Sequence, residues 1–106
     1  MKVVHNISKE ARSKIIMLLL ENRSKESLAR ELGITSTAIN KFLKGITHPS
    51  DNTIIKAINI ATEDEKVKIY KIIINDLITS LKDFLNTTEI PNKDKILKEE
   101  IISKLS

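Results

Sequence analysis

Lys25 to Leu43 read KESLARELGITSTAINKFL, and this stretch decides how the chain folds. Leu28, Ala29 and Leu32 form an apolar stripe at i, i+1 and i+4, Gly33 interrupts it, and Ile34, Ile39 and Phe42 resume it on a second segment. Two short helices therefore share one small core across a tight turn. Ala29 sits where the two helices must cross most closely, so a larger side chain there would push them apart. Gly33 can take the left-handed conformation that a three- or four-residue turn requires. Ser24 is placed to accept a hydrogen bond from the free amides opening the first helix, and Thr35 does the same for the second.

On the second helix Ile39 and Phe42 turn inward, which leaves Ser36, Thr37, Asn40, Lys41 and Lys44 facing water. No Asp or Glu occurs between Thr35 and Lys44. A surface helix with two lysines, small hydrogen-bonding side chains and no carboxylate suits the DNA major groove, where base edges lie between two rails of phosphate. The same helical corner also occurs in ordinary bundles, so its flanks must be read with it.

After the second helix come Gly45-Ile46-Thr47-His48-Pro49-Ser50 and then an apolar-periodic run from Asp51 to Ala61. Together with Ser24-Lys25-Glu26, Leu28-Ala29, Leu32-Gly33-Ile34-Thr35 and Ile39, these residues resemble the phage repressor and Cro family of helix-turn-helix domains. The likeness covers residues 9 to about 61. In that family a glycine ends the recognition helix and Pro-Ser opens helix four, as Gly45 and Pro49-Ser50 stand here. Lys25 departs from the pattern, because many relatives carry a glutamine there that grips a phosphate; a lysine makes the contact as a point charge with less defined geometry. The resemblance implies that Ser36, Thr37, Asn40 and Lys41 reach base edges. Asparagine can pair with adenine through two hydrogen bonds, and lysine can donate to guanine. Lys25, Thr35, Lys44, Thr47 and His48 are placed for phosphates, assisted by helix-start amides.

The charge distribution agrees. Residues 1–50 carry nine Lys or Arg against four Glu, whereas residues 51–106 carry nine Lys against ten Asp or Glu, so the net charge of +4 arises in the half with the motif. That asymmetry suggests attraction of the first half to a polyanion and another task for the second.

The rest of the chain reads as helix. A helix from about Ser8 to Asn22, capped by Ser8, buries Ala11, Ile15, Leu18 and Leu19, and one from Asp51 to Ala61, capped by Ser50, offers Ile54, Ile55, Ile58 and Ala61. Thr62-Glu63-Asp64-Glu65 is a capping box with an acidic first turn, which opens a fifth helix running to about Leu85, roughly 33 Å long. Val67, Tyr70, Ile74, Leu77, Leu81 and Phe84 follow a 3-4-3-4-3 spacing, the seam of a helix pair, and Ile69, Ile72, Ile73 and Ile78 broaden it. One stripe can cover the motif domain; the second needs another partner. A last helix, about Lys93 to Leu105, carries Leu97, Ile101 and Leu105 on one line, with Ile96 and Ile102 beside it. Either it folds back within the monomer or it packs across a two-fold axis. The axis is favoured, because one motif buries too little DNA to be specific and dimers bind half-sites roughly 34 Å apart.

Signals for chemistry are missing. His5 and His48 are far apart, cysteine is absent, and no His-x-x-x-His or Glu-x-x-His spacing occurs, so neither a metal site nor a disulfide is expected. With Gly33 and Gly45 the only glycines, there is no phosphate-cradling loop. The serines lack a matching histidine and carboxylate, so no enzyme is expected, and no cofactor. The longest apolar run, Ile15 to Leu20, is far short of the roughly 20 residues that cross a bilayer, and the N-terminus lacks the succession of a secretory signal. Membrane partners are therefore not expected, and the cytoplasm is the expected location.

The sequence thus predicts an all-α protein: a five-helix repressor-like domain with an extended fifth helix and a short C-terminal helix. Residues 1–62 form the DNA-binding domain and 63–106 a helical extension for dimerisation through Tyr70, Ile74, Leu77, Leu81, Phe84, Leu97 and Ile101. The expected function is sequence-specific binding of double-stranded DNA by a dimeric transcriptional regulator. Two alternatives stay open: an antitoxin-like or bridging module that captures a protein through its C-terminal helices, and an accessory DNA-binding factor in plasmid or viral replication or segregation.

Overall fold

The computed structural model describes residues 1–87 and the helix Lys95–Leu105, with side chains of the latter described for 99–104. A short 3-10 helix, Lys2–Asn6, precedes α1 (Lys9–Leu19), α2 (Lys25–Leu32), α3 (Ser36–Leu43), α4 (Asp51–Ile60), α5 (Glu63–Thr87) and α6 (Lys95–Leu105). There is no strand among the described residues.

Each of the first five α-helices starts on a hydroxyl. Ser8 Oγ accepts from the Ala11 amide at 3.1 Å, Ser24 from Ser27 at 3.1 Å, Thr35 from Ala38 at 3.0 Å, Ser50 from Thr53 at 3.2 Å, and Thr62 from Glu65 at 3.2 Å. Thr62 and Glu65 complete the capping box, since the Thr62 amide donates to Glu65 Oε1 at 3.0 Å. The hydroxyls satisfy amides that have no partner inside the helix, which is why the sequence marks these boundaries so clearly.

The core is built around Ile15, Ile16 and Leu19 of α1, Leu28 and Leu32 of α2, Ile39 of α3 and Ile54 of α4. Ile69 and Ile73 of α5 close it from one side, so the inner stripe of the long helix belongs to the same core. Asp76 anchors that packing: its carboxylate accepts from the Ser8 amide at 2.9 Å and from the Ser8 hydroxyl.

Several boundaries differ from the sequence reading. α1 ends at Leu19, three residues early, because the Asn22 and Arg23 side chains leave the helix to meet Glu65. The 3-10 helix has no strong sequence signal, yet Val4 and Ile7 are buried and add a wall to the core. On α4 Ala57 is buried while Ile55 is only half-buried, since Ala57 continues the inward stripe of Ile54, Ile58 and Ala61 at i, i+3, i+4 and i+7, and Ile55 lies on its flank. α5 continues to Thr87, whose hydroxyl donates to the Asp83 carbonyl at 2.8 Å. Residues 93 and 94 of the expected last helix, and the side chains of Ile96, Leu97 and Leu105, lie outside the described residues.

Candidate nucleic-acid interface

The turn between α2 and α3 is fixed by backbone hydrogen bonds. Gly33 has φ +69°, the Ile34 amide donates to the Ala29 carbonyl at 2.9 Å, and the Gly33 amide donates to Arg30 at 3.2 Å. These two bonds make a Schellman motif, which ends α2 on a left-handed glycine and redirects the chain. The end of α3 repeats it: Gly45 has φ +72°, the Ile46 amide donates to Lys41 at 2.9 Å, and the Gly45 amide donates to Phe42 at 3.1 Å. Each of the two glycines in the chain therefore terminates one helix of the motif.

α3 buries Ile39 and Phe42 and turns Thr37, Lys41 and Lys44 to solvent. Ser36 and Asn40, on the flank of the same face, are half-buried. Thr35 is exposed; its oxygen accepts from Ala38, which leaves the hydroxyl proton for an outside acceptor. Lys25 is exposed on the first turn of α2, which packs directly on α3. Thr47 and His48 are exposed in the loop that follows Gly45. Lys25, Lys41 and Lys44 take part in no ion pair, whereas the ion pairs among the described residues engage His5, Arg12, Arg23 and Lys66. Among the described residues no carboxylate pairs with these three lysines, which leaves them able to meet phosphate.

Arg12 holds the loop behind that face. Its guanidinium is buried and donates to the carbonyls of Ile7 at 3.0 Å, Val4 at 2.8 Å and Pro49 at 2.9 Å, and to Asp51 Oδ1 at 2.6 Å. One side chain thus ties the 3-10 helix, the end of the 45–50 loop and the start of α4 together. The Arg12 guanidinium, helped by His5, holds the Asp51 carboxyl below its ordinary range. Nothing in the sequence marked Arg12 for this role; a basic residue one position after a buried alanine on α1 is the only cue. Lys9 carries no sequence cue either. It lines, with Glu10, Lys44 and His48, a shallow groove of about 410 Å³ between the start of α1 and the end of α3.

The seam residues lie elsewhere. Tyr70, Ile74 and Phe84 are exposed, Leu77 and Leu81 are half-buried on α5, and Ile101 is half-buried on α6, while the Leu97 side chain lies outside the described residues. Among the described residues no cluster of His, Asp or Glu is placed to hold a metal ion, and no helix is long and apolar enough to cross a membrane.

Comparison with protein families gives a match to the helix-turn-helix model over residues 15–60, from the middle of α1 to the end of α4. Neither characterised proteins nor solved structures give a significant match. The matched segment contains both Schellman turns, the Thr35 cap and the acid-free face of α3. Residues 15–60 match the helix-turn-helix family, whose phage repressor and Cro type the sequence resembles.

Proposed function

We propose that this protein is a homodimeric transcriptional regulator that recognises a specific double-stranded DNA sequence by placing α3 in the major groove. The observation that carries the reading is the outer face of α3: Thr37, Lys41 and Lys44 are exposed, no carboxylate lies on the helix, and neither lysine is paired. In this reading Ser36, Thr37, Asn40 and Lys41 meet base edges, and Lys25, Thr35, Lys44, Thr47 and His48 meet phosphates, which fix register without reading sequence. Residues 63–106 serve as the dimerisation extension, supported by the apolar side chains that α5 leaves exposed. Two copies of the motif would read half-sites about one helical turn, roughly 34 Å, apart.

Selection of bound sequences from a random duplex pool tests this directly. The expected result is an inverted repeat whose binding survives moderate salt, while a scrambled duplex of equal length is released. Binding that shows no sequence preference and is erased by moderate salt would overturn sequence recognition in favour of a protein-capturing module with incidental DNA contact.

A further inference from the structure

From the outer face of α5 we infer that the second copy packs there antiparallel, about a two-fold axis that crosses the helix between Ile74 and Leu77. The inference rests on the dimeric reading above and adds the orientation and register of the pair. Val67, Tyr70, Ile74 and Phe84 are 53%, 42%, 54% and 58% exposed, and Leu77 and Leu81 lie half-buried along the same line. Their spacing reads identically from either end. Reversing one copy therefore lays the seam onto itself in three layers: Val67 on Phe84 of the second copy, Tyr70 on Leu81, and Ile74 on Leu77. Each layer pairs an a position with a d position, as knobs-into-holes packing of reversed helices requires, and the contact is isologous.

Shape and charge select this orientation over the parallel one. An apolar groove of about 280 Å³ lies along the seam from Tyr70 to its centre, lined by Met1, Val3, Tyr70, Ile73, Ile74 and Leu77. Antiparallel packing brings Leu81 of the second copy, which lies outside that groove, onto Tyr70 and sets only Ile74 and Leu77 against each other, whereas parallel packing would set the whole groove against its copy. In the parallel arrangement Lys66 of each copy would also flank Lys71 of the other, the g-to-e′ contact of a coiled coil, and the exposed Glu63 and Asp64 of both copies would crowd at one end. Reversal places Lys71 beside Ile78 and Lys66 beside Thr87, and separates the acidic turns.

The chain has no cysteine, so single cysteines report the geometry cleanly. Val67→Cys and Phe84→Cys replace exposed side chains, and circular dichroism of each should match the parent. Under mild oxidation, an equal mixture of the two variants should give a covalent dimer, while each alone should stay uncrosslinked, because identical positions lie roughly 25 Å apart along the pair. Crosslinking of Val67→Cys with itself would establish a parallel pair and overturn the inference. A monomeric mass for the unmodified protein by light scattering at 0.1 mM scale, with no crosslink in the mixture, would overturn it too. Ile74→Glu, which buries a carboxylate beside the axis, should shift the parent from dimer to monomer. DNA binding is followed in parallel on the selected duplex: an unmodified protein that is monomeric yet still prefers it sinks the seam and leaves sequence recognition standing, whereas a crosslinked dimer with no preference does the reverse.

Discussion

Arg23, in the connection between α1 and α2, grips Glu65 on the first turn of α5 with both ends of its guanidinium: Nη1 lies 2.9 Å from Oε2 and Nη2 lies 3.0 Å from Oε1. Glu65 is 2% exposed and also accepts from Asn22 at 3.2 Å and from the Thr62 amide at 3.0 Å. Arg23 in turn donates to the Leu19 carbonyl at 3.0 Å and stands 3.8 Å from Glu31 of α2. A single buried carboxylate therefore joins the proposed dimerisation helix to the elbow that sets α2. The pairing with Arg23 raises the Arg23 pKa and, against the cost of burial, lowers that of Glu65 from 4.5 to about 2.

Because the folded-state value of Glu65 is depressed, its contribution is complete above the unfolded-state value and disappears as the pH falls toward about 2. A shift of this size corresponds to roughly 3 kcal/mol at neutral pH. Glu65→Gln keeps the capping geometry but not the charge, and leaves the guanidinium without its main partner. It should lower unfolding stability by about 2–3 kcal/mol at pH 7. Urea titrations at pH 7, 4 and 2.5 check this: the gap between the two proteins should narrow on acidification, and a gap that stays constant would contradict the charge assignment.

Arg12 supports the site from below. Arg12→Lys retains the charge but cannot reach four acceptors in three directions, since an ammonium lacks the planar fork. Both Arg12→Lys and Arg12→Met should cost about 2–4 kcal/mol in stability, because carbonyls of Val4, Ile7 and Pro49 lose their donor in a buried setting. Amide exchange should also quicken in residues 45–50 more than in α2. Uniform quickening across the domain would show that Arg12 stabilises the fold without fixing that loop.

The parts of this fold that depend on neighbours in sequence were open to reading from the residues. Ser8, Ser24, Thr35, Ser50 and Thr62 act through amides three positions on, and the turns at Gly33 and Gly45 close on carbonyls three and five positions back from their donors. The inward placement of Ile39 and Phe42 follows from helical periodicity in the same way. What the sequence hid is the set of polar contacts that span 37 to 68 positions: Arg12 to Pro49 and Asp51, Arg23 to Glu65, and Ser8 to Asp76. Each joins a residue whose type is ordinary on a surface to a partner that only the tertiary crossing brings near. Composition and period carry no record of such pairs, and the 3-10 helix at the N-terminus is tied in by one of the same side chains, Arg12, through the Val4 carbonyl eight positions before it.

The two glycines should behave alike. A Cβ at Gly33 would meet only Lys56 Nζ, at 3.7 Å, and one at Gly45 would meet nothing within 4 Å, so the cost of alanine at either position is the backbone conformation alone. Gly33→Ala and Gly45→Ala should each destabilise by about 1–2 kcal/mol, and the corresponding asparagine variants by less, since asparagine tolerates the left-handed region better. Thermal unfolding of the four variants checks it; a loss well above this range at either glycine would show that more than the backbone conformation is at stake there.

Recognition itself is tested most sharply by a pair of substitutions on α3. Asn40 is half-buried at the edge of the outer face, one turn after Ser36, so its amide can be aimed at a base with little freedom to find another. Lys44 is exposed at the end of the helix, beside the groove shared with Lys9 and His48, and in the proposed reading it meets phosphate. Asn40→Ala should cost about 1–3 kcal/mol on the preferred duplex and relax preference at one or two base pairs, with the salt dependence unchanged. Lys44→Ala should weaken preferred and scrambled duplexes equally and flatten the slope of log K against log salt by about one unit. Fluorescence anisotropy across a salt series separates the two effects. If Asn40→Ala changes only the salt slope, or Lys44→Ala changes only sequence preference, the face of α3 that meets the bases is rotated from the one proposed.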